Sequence, residues 1–221
     1  MIFEDRRAAG RALAGALARW PGPWINPLVI ALPRGGVPVG HEVALSLRAE
    51  FDILCVRKLG APGRPELAIG ALADGGEPLT VLNQGIISQL GVSPSYVEEE
   101  IARQTRRLAQ LEKALRQGRP VVPRRGRDVV LVDDGLATGA TARAALQRLR
   151  RDDVHRLILA VPVSPPEILK EFRALTDGVV CLHSPPDFNA VGAYYAHFGP
   201  VSEIEVLQLT APRPVSPQSL N

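Results

Sequence analysis

Hydrophobic residues along this chain fall into short runs that barely alternate, separated by amphipathic stretches. The runs are Leu28 to Leu32, Phe51 to Arg57, Val129 to Val132, Leu157 to Val161 and Val179 to Leu182. A run without alternation predicts a strand covered on both faces, as in a parallel sheet. Between the runs the pattern turns helical. An Ala-, Arg- and Leu-rich helix is predicted over residues 3 to 19 and is stopped by Trp20-Pro21-Gly22-Pro23. Others are predicted from about Val39 to Leu47, from Ala142 to about Arg151 and from Pro166 to Leu175. Ser93-Pro94 opens the longest, about Ser95 to Gln117, with an apolar stripe of Val97, Ile101, Leu108, Leu111 and Leu115. Its acids (Glu98, Glu99, Glu100) precede its bases (Arg103 to Arg116), which complements the helix dipole. Such a charged helix reads as a cover or a subunit contact.

Two further segments, Leu67 to Ala73 and Leu79 to Leu82, read as a hairpin around Asp74-Gly75-Gly76. Gly60 to Pro65 reads as a turn-rich loop. Strands alternating with helices give the α/β class, with an open parallel sheet flanked by helices. At 221 residues one domain is expected.

Composition narrows the function classes. The formal charge of +3 is too small to imply a nucleic-acid partner, and no helix-turn-helix pattern is present. The cluster Arg124-Arg125-Gly126-Arg127 reads as a solvated loop. Cys55 and Cys181 lie in apolar runs and read as buried free thiols, which favours a reduced, cytoplasmic setting over a single disulfide. No apolar run reaches membrane-spanning length, and the first residues lack the apolar region of a signal peptide. The tail, residues 211–221, is expected to be mobile.

The chemistry concentrates in Asp133-Asp134-Gly135-Leu136-Ala137-Thr138-Gly139-Ala140-Thr141. A buried strand delivers two carboxylates to its carboxyl end, where ligands sit in open α/β sheets. Neighbouring side chains on an extended segment point to opposite sides, so one acid faces a ligand more squarely than the other. Carboxylates accept hydrogen bonds from vicinal sugar hydroxyls, or hold a cation. Behind them, Gly135, Gly139 and the hydroxyls of Thr138 and Thr141 lead into a helix N-terminus, which attracts phosphate. A ligand with hydroxyls at one end and a phosphate at the other fits both. Neither a Walker A pattern nor a Gly-x-Gly-x-x-Gly fingerprint occurs here. Pro33-Arg34-Gly35-Gly36 ends the first strand on the same sheet edge, and its Arg fork and glycines suit a second anion.

Together these segments resemble the binding loops of type I phosphoribosyltransferases, over about residues 27 to 200. Gly135 is the one less typical choice. The resemblance implies that fold, with a core at about 27–183 and a small variable hood at about 184–209 joined by the N-terminal segment, all in one domain, 1–210. It implies transfer of the 5-phosphoribosyl group from 5-phosphoribosyl 1-pyrophosphate (PRPP) to a nitrogenous base, with release of pyrophosphate, as in nucleotide salvage. Asp133 and Asp134 then form the catalytic pair on the ribose hydroxyls, and Gly135, Leu136, Ala137, Thr138, Gly139, Ala140 and Thr141 bind the 5′-phosphate. Arg34, Gly35, Gly36 and Lys58 bind pyrophosphate; for Lys58 an exposed lysine opening a loop is an equal reading. Mg²⁺ is implied through PRPP, with Asp133 or Asp134 reaching it through water. A non-proline cis peptide is looked for at Arg34–Gly35. Gly60 to Glu77 corresponds to a mobile loop that closes over the site and excludes water.

Ala137 stands where members acting on 6-oxopurines usually carry Asp, so such purines are disfavoured. Phe188 and Tyr194, as stacking rings, and Asp187, as a hydrogen-bonding partner, are the acceptor-site candidates, although for any one of them a surface loop with core-packing aromatics is the preferred reading. A homodimer is among the family's expectations. The rival function is a PRPP- or nucleotide-sensing regulator of the same fold without significant turnover.

Overall fold

The structure, a computed structural model, describes residues 1–74 and 78–211. Five strands form one wholly parallel sheet: β1 (Leu28–Ala31), β2 (Glu50–Ile53), β6 (Asp128–Val132), β7 (Arg156–Val163) and β8 (Gly178–His183). Their order is β2-β1-β6-β7-β8. Every residue of β1 and β6 is buried, yet the two faces divide by parity. Val29, Val130, Val132 and Ile158 face α1 (Arg6–Leu17) and α2 (Gly36–Leu47), meeting Leu13, Leu17, Val39 and Val43. Leu28, Ile30, Leu131 and Leu159 face α5 (Ala140–Arg150) and α6 (Pro166–Arg173), meeting Ala142, Leu146, Leu149 and Phe172. Two covered faces explain why the strand sequences do not alternate.

Chain order reverses at β1: β2 lies on one side of it and β6 on the other. The crevice beyond the carboxyl ends of β1 and β6 is therefore the topological switch point where open α/β sheets bind ligands. Leu32 N–H donates to the Val132 carbonyl (2.9 Å), which continues the pairing to the brink of the two loops that follow.

A second sheet departs from the sequence reading. The predicted strand Phe51 to Arg57 is two: β2 stops at Ile53, and β3 (Val56–Ala61) begins a three-stranded antiparallel sheet with β4 (Arg64–Ala73) and β5 (Leu79–Leu82). The β4–β5 pairing was expected; its turn residues Gly75 and Gly76 lie outside the described residues. The expected mobile loop over Gly60 to Glu77 is instead largely the β3–β4 hairpin, whose Leu59, Ile69 and Leu72 are buried in a core with Leu108 and Leu115 of α4 (Pro94–Arg116). Hydrophobic alternation within a glycine-rich stretch outweighed its loop-like composition.

Two short helices were not anticipated, α3 (Gln84–Leu90) and α7 (Glu203–Thr210), and α2 begins three residues before its predicted start. The arginine cluster is not the solvated loop its composition suggested. Arg124 and Arg127 are buried and paired with Asp152 and Glu50; only Arg125 of the three is exposed. Both cysteines are free. No helix among the described residues is long and apolar enough to cross a membrane. The expected mobility of the tail concerns positions beyond Ala211, outside the described residues.

Candidate functional site

The acidic loop follows β6 directly. Gly139 caps α5 at φ +68°, and a β-carbon there would lie 2.6 Å from the Phe172 ring. The loop thus needs glycine at this point both for its turn and for its seat on α6. Leu136 is buried and its N–H donates to the Val163 carbonyl (2.9 Å), which ties the loop to β7. Ala137 and Thr138 stay exposed, Thr141 is half-buried, and the first turn of α5 leaves N–H groups without partners inside the helix. A pocket of about 150 Å³ lies over this loop. It is lined by residues 135–142, Asp133, Lys58 and Val191. Its volume suits one phosphate and the adjoining atoms rather than a whole nucleotide, for which sites of roughly 300 Å³ and more are usual.

The two acids part company here. Asp133 lines the pocket; Asp134 does not. Asp134 turns to Arg6 of α1, whose Nε–H donates to Asp134 Oδ2 at 2.8 Å. The same guanidinium lies 3.9 Å from the Phe198 ring centroid and donates to the Gly199 carbonyl at 2.8 Å. The Tyr195 hydroxyl donates to the Asp134 carbonyl at 2.6 Å. Burial pushes the Asp133 carboxyl well above its ordinary range, and the Asp134 charge beside it adds to that. Burial also raises Asp134, against the pull of the Arg6 hydrogen bond. Two adjacent, desolvated carboxylates favour ligand groups that donate hydrogen bonds or bring positive charge.

The loop after β1 packs straight onto this pair. A β-carbon on Gly36 would lie 2.9 Å from Asp133 Cα. The Gly36 N–H donates to the Leu32 carbonyl (3.0 Å) and so closes α2 rather than pointing at an anion. Arg34 is exposed beside it. The non-proline cis peptide is present, one bond earlier than expected, at Pro33–Arg34.

Lys58 reaches the pocket from β3 of the second sheet, not from the end of the second strand of the parallel sheet as its sequence position suggested. The hood candidates meet one another instead of the pocket. Phe188 and Tyr194 stack at 5.6 Å, Tyr194 meets His183 edge-on at 5.5 Å, and Asp187 is exposed. Val191, in the 3₁₀ turn Val191–Tyr194, is the hood residue at the pocket wall. Sequence reasoning missed Arg6. It is one arginine among several on an amphipathic helix, and no local pattern marks a partner 128 positions away. The N-terminal segment and the hood are joined by backbone bonds from Phe3 N–H to the Tyr194 carbonyl and from Ala196 N–H to the Phe3 carbonyl, both 2.8 Å.

Comparison with known proteins places this geometry among relatives. A family model described as a phosphoribosyl transferase domain matches residues 4–197. A Mycobacterium tuberculosis H37Rv protein provisionally named phosphoribosyl transferase Rv0571c is 43% identical over 206 residues, covering 93% of this chain and 46% of that protein. The chain thus spans about half the length of the curated relatives it matches. Among solved structures, TT1426 from Thermus thermophilus is 46% identical with a TM-score of 0.82, covering 95% of this chain and 98% of that one. AQ2163 from Aquifex aeolicus shares the fold at 11% identity and a TM-score of 0.50, covering 85% and 78%.

Proposed function

The chain belongs to the phosphoribosyl transferase domain family, and from that premise we propose that it transfers the 5-phosphoribosyl group of PRPP to a nitrogenous base, releasing pyrophosphate. One observation carries the reading. The loops after β1 and β6 meet at the switch point, with Gly35 and Gly36 against the two acids and Lys58 in the pocket beside the phosphate cradle.

In this reading the bond from ribose C1 to the pyrophosphate oxygen breaks and a bond from C1 to the base nitrogen forms. Positive charge builds on the sugar as negative charge builds on the departing pyrophosphate. Asp133, facing the pocket, accepts from the ribose hydroxyls and stabilises the cationic ring. Asp134, held by Arg6, flanks the same diol. Residues 137–141 hold the 5′-phosphate through backbone N–H groups and the Thr138 and Thr141 hydroxyls, on a loop that the Leu136 N–H ties to β7. Arg34 and Lys58 hold pyrophosphate as cations, while Gly35 and Gly36 let the loop after β1 pack against the two acids.

The donor set also suits Mg²⁺ arriving with the substrate. No group of three or more His, Cys, Asp or Glu that could hold a metal occurs among the described residues. An ion bound mainly by phosphate oxygens needs only one or two carboxylates, and Asp133 would supply one through water. Bound there, Mg²⁺ would offset pyrophosphate charge. Ala137 is exposed at the pocket and offers no acceptor to a purine N7–H, which points away from 6-oxopurines.

The test mixes the chain with PRPP, Mg²⁺ and a panel of purine and pyrimidine bases, and follows pyrophosphate. Base-dependent release supports transfer. Tight PRPP binding with no release under any base favours the sensing role, and no PRPP binding at millimolar concentrations overturns the reading.

A further inference from the structure

Lys58 comes to the pocket on a strand that belongs to the other sheet, so something must fix that strand against the loop. The β3–β4 ladder slips on both sides of Gly60. Its ladder partner is Ala68, but Pro65, which has no N–H to donate, packs on it: a β-carbon on Gly60 would lie 2.8 Å from Pro65 Cα. Gly60 turns both backbone groups to α4. Its N–H donates to Glu100 Oε1 at 3.1 Å, and its carbonyl accepts from the Tyr96 hydroxyl at 3.0 Å.

On the other side of Lys58, Arg57 Nε–H donates to Gln104 Oε1 at 3.2 Å. Gln104 Nε2 in turn donates to Glu100 Oε1 at 2.9 Å, which joins the two anchors into one network. Glu100 and Gln104 are only 3% and 7% exposed, although they lie on a helix otherwise rich in solvated charge. Buried polar side chains that are satisfied by one another and by a strand backbone fix geometry at low reorganisation. Lys58 is thus bracketed by residues 57 and 60, both tied to the same face of α4.

We propose that Glu100, with Tyr96 and Gln104, is a positioning residue: it holds β3 so that the Lys58 ammonium stands at the anion pocket beside Asp133. This rests on the transferase reading only in taking the anion to be PRPP or pyrophosphate. It gives α4 a part in ligand binding, where its sequence suggested a cover.

A double-mutant cycle separates positioning from general stability. Binding of PRPP and of inorganic pyrophosphate is measured by calorimetry for wild type, Lys58→Ala, Glu100→Ala and the double variant. Tyr96→Phe, alone and with Lys58→Ala, removes a single hydroxyl and covers the case in which Glu100→Ala does not fold. Losing a buried charged acceptor is expected to weaken binding about tenfold when Lys58 is present and less than about twofold when it is absent. Glu100→Gln, which keeps an acceptor oxygen, should restore most of the affinity. Equal losses in both backgrounds, or a Lys58→Ala variant that binds like wild type, overturn the proposal and leave the transferase reading standing. Wild type that binds neither probe overturns both.

Discussion

Gly35 lies against Asp134 so closely that a β-carbon on it would fall 2.1 Å from Asp134 Oδ2. A carboxylate that also receives Arg6 at 2.8 Å has little room to retreat. Gly35→Ala should therefore displace either the acid or the loop. The expected result is PRPP binding weakened by about tenfold or more, from an overpacking cost of about 1–3 kcal/mol, with the far-ultraviolet circular dichroism unchanged. Wild-type affinity in this variant would remove the contact from the account.

The two acids should respond differently to the same change. Asp133→Asn removes the carboxylate that faces the pocket and should cost about ten- to a hundredfold in PRPP affinity, the range of a charge-assisted hydrogen bond. Its Tm should hold or rise, since a desolvated charge is removed. Asp134→Asn keeps an acceptor oxygen for Arg6 and lies outside the pocket lining, so it should cost less in PRPP affinity, with Tm again held or raised because burial disfavours this charge too. Calorimetry and thermal melts of both variants check this, and equal losses of affinity would contradict the separation of roles.

At the opposite end of β6, Asp128 is fully buried and accepts from Arg156, from His155 Nδ1 (2.7 Å) and from Ile25 N–H (2.6 Å). Burial alone would raise its carboxyl; the hydrogen bonds from Arg156, His155 and Ile25 overcome that and hold it at about 2, below the ordinary 3.8. A depressed carboxyl contributes stability that is present above the unfolded value and fades as pH falls toward 2. Asp128→Ala should cost about 1–3 kcal/mol at pH 7, because it removes the acceptor shared by Arg156, His155 and the Ile25 N–H. Urea titrations at several pH values should show that gap narrowing below pH 4.

Asp74 carries the opposite sign. Its carboxylate is buried beside Cys55 at the end of β4, and burial pushes it up to about 6 against the pull of Arg116. A raised carboxyl favours the folded state at low pH, and that contribution is lost as pH rises through 6. Asp74→Asn should therefore raise Tm at pH 8 and change it little near pH 4. A lower Tm at pH 8 would mean that its attraction to Arg116 outweighs its desolvation.

The parts legible in the sequence are those whose cause is local. Val129 to Val132 has no polar face because the sheet is covered on both sides, and the acids follow in the next residues, so strand, loop and helix could be read from one window. Lys58 could be singled out but not placed. Nothing between Ile53 and Val56 announces that the chain leaves one sheet for another, because the residues on both sides are equally apolar. Leu67 to Ala73 could be read as a strand, but its pairing with β3 could not, because the glycines around Leu59 read as loop while serving close backbone packing, Gly60 on Pro65 and Gly70 on the Val81 carbonyl. Arg6, Tyr195 and Glu100 act through partners far along the chain, and such pairings leave no periodic trace.

The strand order β2-β1-β6 has a consequence for assembly. The loop at Pro33 and the loop at Asp133 become neighbours only when β6 docks beside β1, with the three-stranded antiparallel sheet and α4 lying between them in the chain. Closing so long a loop is among the slower events of folding. A ligand that touches both loops recognises only chains that have completed this step. Added PRPP should then act as a sensor of native topology, raising the unfolding midpoint with the logarithm of its concentration above Kd and leaving any species with an undocked β6 unprotected.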